Sequence, residues 1–97
     1  MQTKITFRHF RGQHPELHDI AIEMAENLEK YYDGIISANV DFVNETDKTV
    51  QFTVHVQGNT LVVKEKSDDF KKSLNLAEDK MIRQLRKYKT KHTSVKV

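Results

Sequence analysis

Apolar residues fall into two rhythms along this chain, and their order lays out a fold. In Lys4 to Phe10, Ile5 and Phe7 alternate with Thr6 and Arg8, the period of a short strand, which Gly12 breaks. From Pro15 the step changes. Leu17, Ile20, Ala21, Met24, Leu28 and Tyr31 recur every three or four residues, one stripe of a helix of about four turns. Pro15 suits its first turn, and Asp33-Gly34 ends it, with Gly34 expected in a left-handed cap. Period two then returns. Ile36, Ala38, Val40 and Phe42 alternate with Ser37, Asn39 and Asp41, and Val50, Phe52, Val54 and Val56 with Gln51, Thr53 and His55. Leu61 and Val63 mark a shorter run. Asn44 to Lys48 and Gly58-Asn59 are turn chemistry, so these three strands are expected to form an antiparallel meander with one apolar face. Ser67-Asp68-Asp69 offers N-cap oxygens to a second helical stripe, Phe70, Leu74, Ala77, Met81, Leu85 and Tyr88, predicted to run to about residue 90. The order β-α-β-β-β-α predicts an α+β two-layer sandwich, a four-stranded sheet with two helices on one face.

Length fits one such unit. Ninety-seven residues can bury about 60–65% of their unfolded surface, enough for one core. The expected division is one α+β domain over residues 1–92 and a short basic tail over 93–97. The chain has no cysteine, which excludes disulfides, thiol chemistry and cysteine-based zinc sites. No apolar run approaches the ~18–20 residues needed to cross a bilayer. The opening Met1-Gln2-Thr3-Lys4 leads into a strand rather than a signal-peptide block, so a cytoplasmic address is expected.

Charge changes the picture more than length does. The net charge of +2 conceals a strong asymmetry: residues 80–97 hold seven Lys or Arg and no Asp or Glu, leaving nine basic against 14 acidic residues before them. At 100° per residue, Lys80, Arg83, Gln84, Lys87 and Lys91 share about 100° of arc beside the apolar stripe. Cations near a helix C-terminus complement its dipole, but that effect fades beyond the last turn, and this run begins well before it. Arg83, Lys87 and Lys91 are four apart, a spacing at which like charges destabilise a helix by about 0.2–0.5 kcal/mol per pair. Only Asp79 is placed to relieve Arg83. Counter-charge from outside, of which nucleic-acid phosphate is the commonest source, explains such a ladder better than folding does. No aromatic residue interrupts the face, which favours contact with the phosphate backbone of structured RNA over base stacking on single strands. The first helix carries Glu16, Asp19, Glu23, Glu26 and Glu29 outward, with Lys30 near its end, and should turn away from phosphate.

Catalytic chemistry finds no foothold. His14 and His18 are four apart but lack a third ligand or adjacent Glu. His55 alternates outward on a strand, and Asp68-Asp69 is better read as a helix cap than as a magnesium site. There is no nucleophile elbow, Gly-rich phosphate loop or convergent acid–base pair. The chain is expected to be no enzyme, with no catalytic residues, no metal or other cofactor and no small-molecule substrate.

One stretch carries a resemblance. Asp79-Lys80-Met81-Ile82-Arg83-Gln84-Leu85-Arg86-Lys87-Tyr88-Lys89-Thr90-Lys91 resembles the second helix of the ribosome hibernation promoting factor family, which includes the ribosome-associated inhibitor and is also described as sigma-54 modulation protein. Leu28-Glu29-Lys30-Tyr31-Tyr32-Asp33 is similar to the motif closing that family's first helix, and Met1 to Thr6 is similar to its opening. The resemblance spans essentially the whole chain. It implies a bacterial protein that binds the small ribosomal subunit in stationary phase or stress. Such a protein occupies the mRNA and tRNA channel and inhibits translation by steric exclusion. It further implies that Lys80, Arg83, Lys87, Lys89 and Lys91 contact rRNA phosphates, with Gln84, Arg86 and Lys30 as additional contacts. Gln84 could bond either the RNA or the first helix. Lys71, Asn75, Asn27 and His14-Pro15 depart from the family's usual residues. The chain resembles the short form, in which ribosome dimerisation depends on a separate partner, ribosome modulation factor.

Two rivals compete with this reading. A stand-alone double-stranded RNA-binding domain would map its α-β-β-β-α core onto residues 15–90, although Asp68-Asp69 would oppose phosphate and the first strand is extra. Alternatively, a protein-interaction module would dock the cationic helix on an acidic partner.

Overall fold

Two central strands bury one face under two helices, and the outer strands complete the layer. The structure, a computed structural model, describes residues 1–94, with side chains described through Lys89. Its elements are β1 (Gln2–Arg8), α1 (Pro15–Asn27), a 3-10 turn (Leu28–Lys30), β2 (Ile35–Asn44), β3 (Lys48–Val56), β4 (Asn59–Ser67) and α2 (Phe70–Ser94). The sheet order is β1-β2-β3-β4, with β1 parallel to β2 and the remaining pairs antiparallel. The expected α+β sandwich and meander are therefore present, and α1 makes the crossover that a parallel β1–β2 pair requires. Helix α2 continues to Ser94, past the expected stop near residue 90. Thr93 and Ser94 of the expected tail are thus helical, and 95–97 lie outside the described residues.

Alternation places the core. Ala38, Val40 and Phe42 of β2 and Val50, Phe52 and Val54 of β3 are fully buried beneath Ala21, Ala25 and Leu28 of the first helical segment and Leu74, Ala77, Met81 and Leu85 of α2. The Phe7 ring stacks on Phe42 at 5.0 Å between centroids, and Phe70 meets Phe42 edge-on at 5.7 Å, so the edge strand β1 and helix α2 both close on one aromatic residue. Ile36 departs from expectation. The β2–β3 register shifts between Ile35 and Ser37, a bulge that turns Ile35 into the core and leaves Ile36 58% exposed.

Gly34 also differs from its expected role. It does not adopt a left-handed φ; the helix instead tightens into the 3-10 turn, where the Tyr31 N–H donates to Leu28 O at 2.9 Å. The absence of a side chain there makes room for the Tyr32 ring, whose outer edge would lie 2.7 Å from a Cβ at this position. Left-handed conformations occur at Gly12 (φ 71°), at His9 (φ 63°) and in the β3–β4 turn at Gly58 (φ 81°). At the start of α2, Asp69 is the cap, its Oδ2 accepting the Lys72 N–H at 3.3 Å.

The helices run side by side in the same direction. Lys71 Nζ reaches Glu16 Oε1 at 2.6 Å near their starts, and Tyr32 meets Tyr88 edge-on at 5.3 Å near the far end. The Tyr88 hydroxyl also donates to Gln57 O at 3.0 Å, fastening α2 to the β3–β4 turn. The Lys71 ammonium holds the Glu16 carboxyl below its ordinary range, and Glu16 in turn raises Lys71. Glu78 moves the other way: partial burial, then the neighbouring Asp79, lift its carboxyl above the usual value of 4.5.

Two outcomes follow from this packing. Phe42→Ala should cost about 3–5 kcal/mol in urea unfolding, whereas Ile36→Ala, outside the core, should cost less than about 0.5 kcal/mol. Equal losses would contradict the bulge. A carboxyl raised by folding takes up a proton more readily in the native state, so the Glu78 charge opposes folding at neutral pH. Glu78→Gln should raise the melting temperature there, with the gain shrinking as pH falls through the raised titration range. Thermal melts of both chains across that range check the sign.

Candidate nucleic-acid interface

The apolar stripe of α2 faces the sheet, so its remaining arc is set by what flanks that stripe. Lys80, Arg83, Arg86, Lys87 and Lys89 are all exposed, and Gln84 is half-buried. Lys91 belongs to the same helix, but its side chain lies outside the described residues. Beyond Tyr88, pinned at the β3–β4 turn, the helix carries Lys89 and Lys91 onward. Lys30 is exposed at the end of the 3-10 turn, beside Tyr31, which contacts Arg86. The structure thus brings Lys30 to the same end of the molecule as Arg86, Lys87 and Lys89.

These cations are not equivalent. Lys80 Nζ lies 2.5 Å from Glu65 Oε2, and the Glu65 side chain is only 17% exposed. Arg83 pairs with Asp79 at 3.0 Å, as the four-residue spacing anticipates. Lys87, Lys89 and Lys30 meet no carboxylate among the described residues. The Arg86 guanidinium lies 5.3 Å from the centre of the Tyr31 ring, a cation–π contact of about 0.5–1 kcal/mol at an exposed site. This ring restrains a long side chain that would otherwise lose rotamer entropy on meeting a phosphate. Gln84 makes no hydrogen bond to α1 among the described residues, which leaves its amide available to a ligand.

Two participants escaped sequence reasoning. Glu65 sits in the inward phase of β4 after Leu61 and Val63, and an acid in that phase is itself a sign of a cationic partner. Tyr31 was assigned to the helical stripe, but whether its ring also met Arg86 depended on the helices lying parallel. The acidic face of α1 remains exposed at Glu23, Glu26 and Glu29.

His14, His18 and His55 each make local contacts. His14 packs against Phe10 at 4.7 Å, and its Nε2 lies 3.0 Å from Arg11 O. His18 Nδ1 is 3.4 Å from Asp19, and His55 Nδ1 is 3.2 Å from the Thr60 hydroxyl. Among the described residues no three His, Cys, Asp or Glu side chains group as a metal site, and no helix is long and apolar enough to cross a membrane.

Comparison with known proteins bears on the chain as a whole. The sigma 54 modulation protein / S30EA ribosomal protein family model matches residues 3–93. The ribosome hibernation promoting factor of Pseudomonas putida is 28% identical over 96 residues, covering 98% of this chain and 93% of that one. The factor of the same name from Azotobacter vinelandii is 33% identical over 76 residues, covering 77% of this chain and 71% of that one. The solved structure of a ribosomal subunit interface protein from Coxiella burnetii superposes with a TM-score of 0.83 at 25% identity, covering 93% and 99% of the two chains.

The Glu65–Lys80 pair makes a measurable prediction. Glu65→Gln keeps the shape, removes the carboxylate and frees Lys80 for an external phosphate. Binding to a structured RNA hairpin should tighten, and the slope of log affinity against log salt should steepen by about 0.9. Fluorescence anisotropy titrations at several salt concentrations measure both.

Proposed function

The chain belongs to the sigma 54 modulation protein / S30EA ribosomal protein family, and we propose that it is a ribosome hibernation factor that binds the small subunit through rRNA phosphates. In this reading the cationic arc of α2 lies along folded rRNA, and the body of the sandwich occupies the mRNA and tRNA channel. Translation stops because the channel is filled, with no bond made or broken. Stationary phase or stress is when such storage of ribosomes is useful. Ribosome modulation factor is the further partner through which stored ribosomes would pair.

The observation that carries the reading is the far end of α2. Lys87 and Lys89 are exposed there without a carboxylate partner among the described residues, beside an Arg86 braced by Tyr31. Lys80, Arg83 and Lys91 extend the same charge along the helix, and Lys30 adds to it from the end of the first helical segment. Gln84 contributes a neutral hydrogen-bonding group. The names of the relatives support the ribosome as the target. A protein-interaction module with an acidic partner would use the same cations but would show no preference for ribosomal particles.

If about six phosphates are engaged, affinity should fall roughly 10³-fold between 50 and 200 mM salt. In sucrose gradients the protein should co-migrate with the small subunit, and the triple variant Arg83→Glu, Lys87→Glu, Lys91→Glu should not. Arg83 and Lys87 are exposed and outside the core, so circular dichroism should confirm an unchanged fold. Unchanged co-migration of the triple variant would reject the mechanism.

A further inference from the structure

Both helices cover the same face of the sheet, and the opposite face carries a second, chemically different surface. Its rows follow from the strand register. Thr6, Asp41, Gln51 and Lys64 lie side by side across the four strands, as do Lys4, Asn39, Thr53 and Val62, and Arg8, Val43, Thr49 and Lys66. The central strands present Ser37, Asn39, Gln51 and Thr53 on this face, with Asp41 among them and Val43 toward one end. Cations stand on the outer strands only, Lys4 and Arg8 on β1 and Lys64 and Lys66 on β4. At about 4.8 Å per strand, the two cationic rails lie about 14 Å apart.

A depression of about 570 Å³ opens on this face, with Arg8, Asp41, Thr49, Gln51, Lys64 and Lys66 in its lining. Glu45 and Asp47 close one end at the β2–β3 turn, and Asp47 lies 3.9 Å from Lys66. Glu65, held by Lys80 on the helix side, also reaches the lining from β4, and Asp41, the carboxylate of the rows given above, accepts a hydrogen bond from the Thr6 hydroxyl. A carboxylate has lone pairs for further donors.

We propose that this uncovered sheet face is a second RNA-binding surface, one that takes the minor groove of an A-form helix. The inference rests on the reading of the chain as an rRNA binder and adds a contact on the side away from α2. The minor groove of A-form RNA is wide and shallow and displays 2′-hydroxyls between two phosphate strands. The match is chemical at each position. Thr53, Asn39 and Gln51 offer donors and acceptors to 2′-hydroxyls, Asp41 accepts from one, and Lys4, Arg8, Lys64 and Lys66 face the flanking phosphates. DNA has no 2′-hydroxyl to offer Asp41, so the face should distinguish the two nucleic acids. The cationic arc of α2 carries no carboxylate placed to read a 2′-hydroxyl and meets mainly phosphate, which both nucleic acids share. A molecule with both faces engaged would be held from two sides, which suits residence in a channel.

The test uses the full chain labelled for NMR and carrying Arg83→Glu and Lys87→Glu, so that α2 contributes little. Adding a short RNA duplex should shift the amides of Thr6, Asn39, Gln51 and Thr53, and a DNA duplex of the same sequence should not. On the unmodified helix background, Lys4→Glu with Lys64→Glu should abolish those shifts and lower the salt slope for the RNA duplex by about 2. Absent shifts at those amides would overturn the proposal, as would equal shifts with DNA. Shifts that appear only on adding ribosomal protein would do so too. Since no ribosome enters this experiment, its outcome is separable from co-sedimentation with the small subunit.

Discussion

Burial of a single face of β2 and β3 is the constraint on which the rest of the molecule depends. A chain of 97 residues has apolar side chains for one core, and Val40, Phe42, Phe52 and Val54 occupy its middle. Covering that face takes both helices, so the other face must remain wet. One-sided coverage also fixes where charge can go. Cations are kept from the middle of the seam between helix and sheet: those of α2 lie on its outer arc, Lys4, Arg8, Lys64 and Lys66 lie on the open face, and Lys48 of β3 stands at the seam's edge, its Nζ 5.9 Å from the centre of the Phe70 ring. Both charged surfaces are thus consequences of having one core.

Parallel helices add a second consequence. They point to the same end of the molecule, where Lys30, Arg86, Lys87 and Lys89 gather. The acidic residues of α1 occupy its own outer face, and the one carboxylate pulled across to α2, Glu16, is at the opposite end, paired with Lys71. Lys71 therefore has a local role in tying the helix starts together. Segregation of sign along the helix pair would orient the molecule in the field of a polyanion before contact.

Most of the fold was legible because two periodicities, two and 3.6, label strands and helices directly. Where legibility failed, a single residue or a long-range meeting was responsible. Ile36 has the right phase by alternation, and only the bulge opposite β3 reverses it. Gly34 reads as a left-handed cap from its place after a helix, yet its missing side chain serves the Tyr32 ring. Of the candidate interface, the cationic arc could be read from spacing alone. The Glu65 and Tyr31 partners could not, since each joins elements distant in sequence. The strand cations were equally hidden. Lys4, Arg8, Lys64 and Lys66 are scattered in sequence and become two rails only when the parallel β1–β2 pairing sets β1 at one edge.

Internal carboxylates answer Lys80 and Arg83, and the question is whether that silences the arc. Arg83 and Asp79 are 70% and 63% exposed, and exposed pairs contribute about 0–1 kcal/mol. A phosphate arriving at Arg83 displaces an interaction of that size while releasing condensed counterions, so Asp79 relieves strain in the free helix without blocking contact. Lys80 is different, because Glu65 is largely shielded from water and would be left partly buried and unpaired if Lys80 swung away. Lys80 is therefore held in place, whereas Lys87 and Lys89 can follow a partner. The arc thus grades from a fixed cation over β4 to adaptable ones beyond the sheet's end. Such a gradient suits docking on an irregular RNA fold, where one end sets register and the other accommodates.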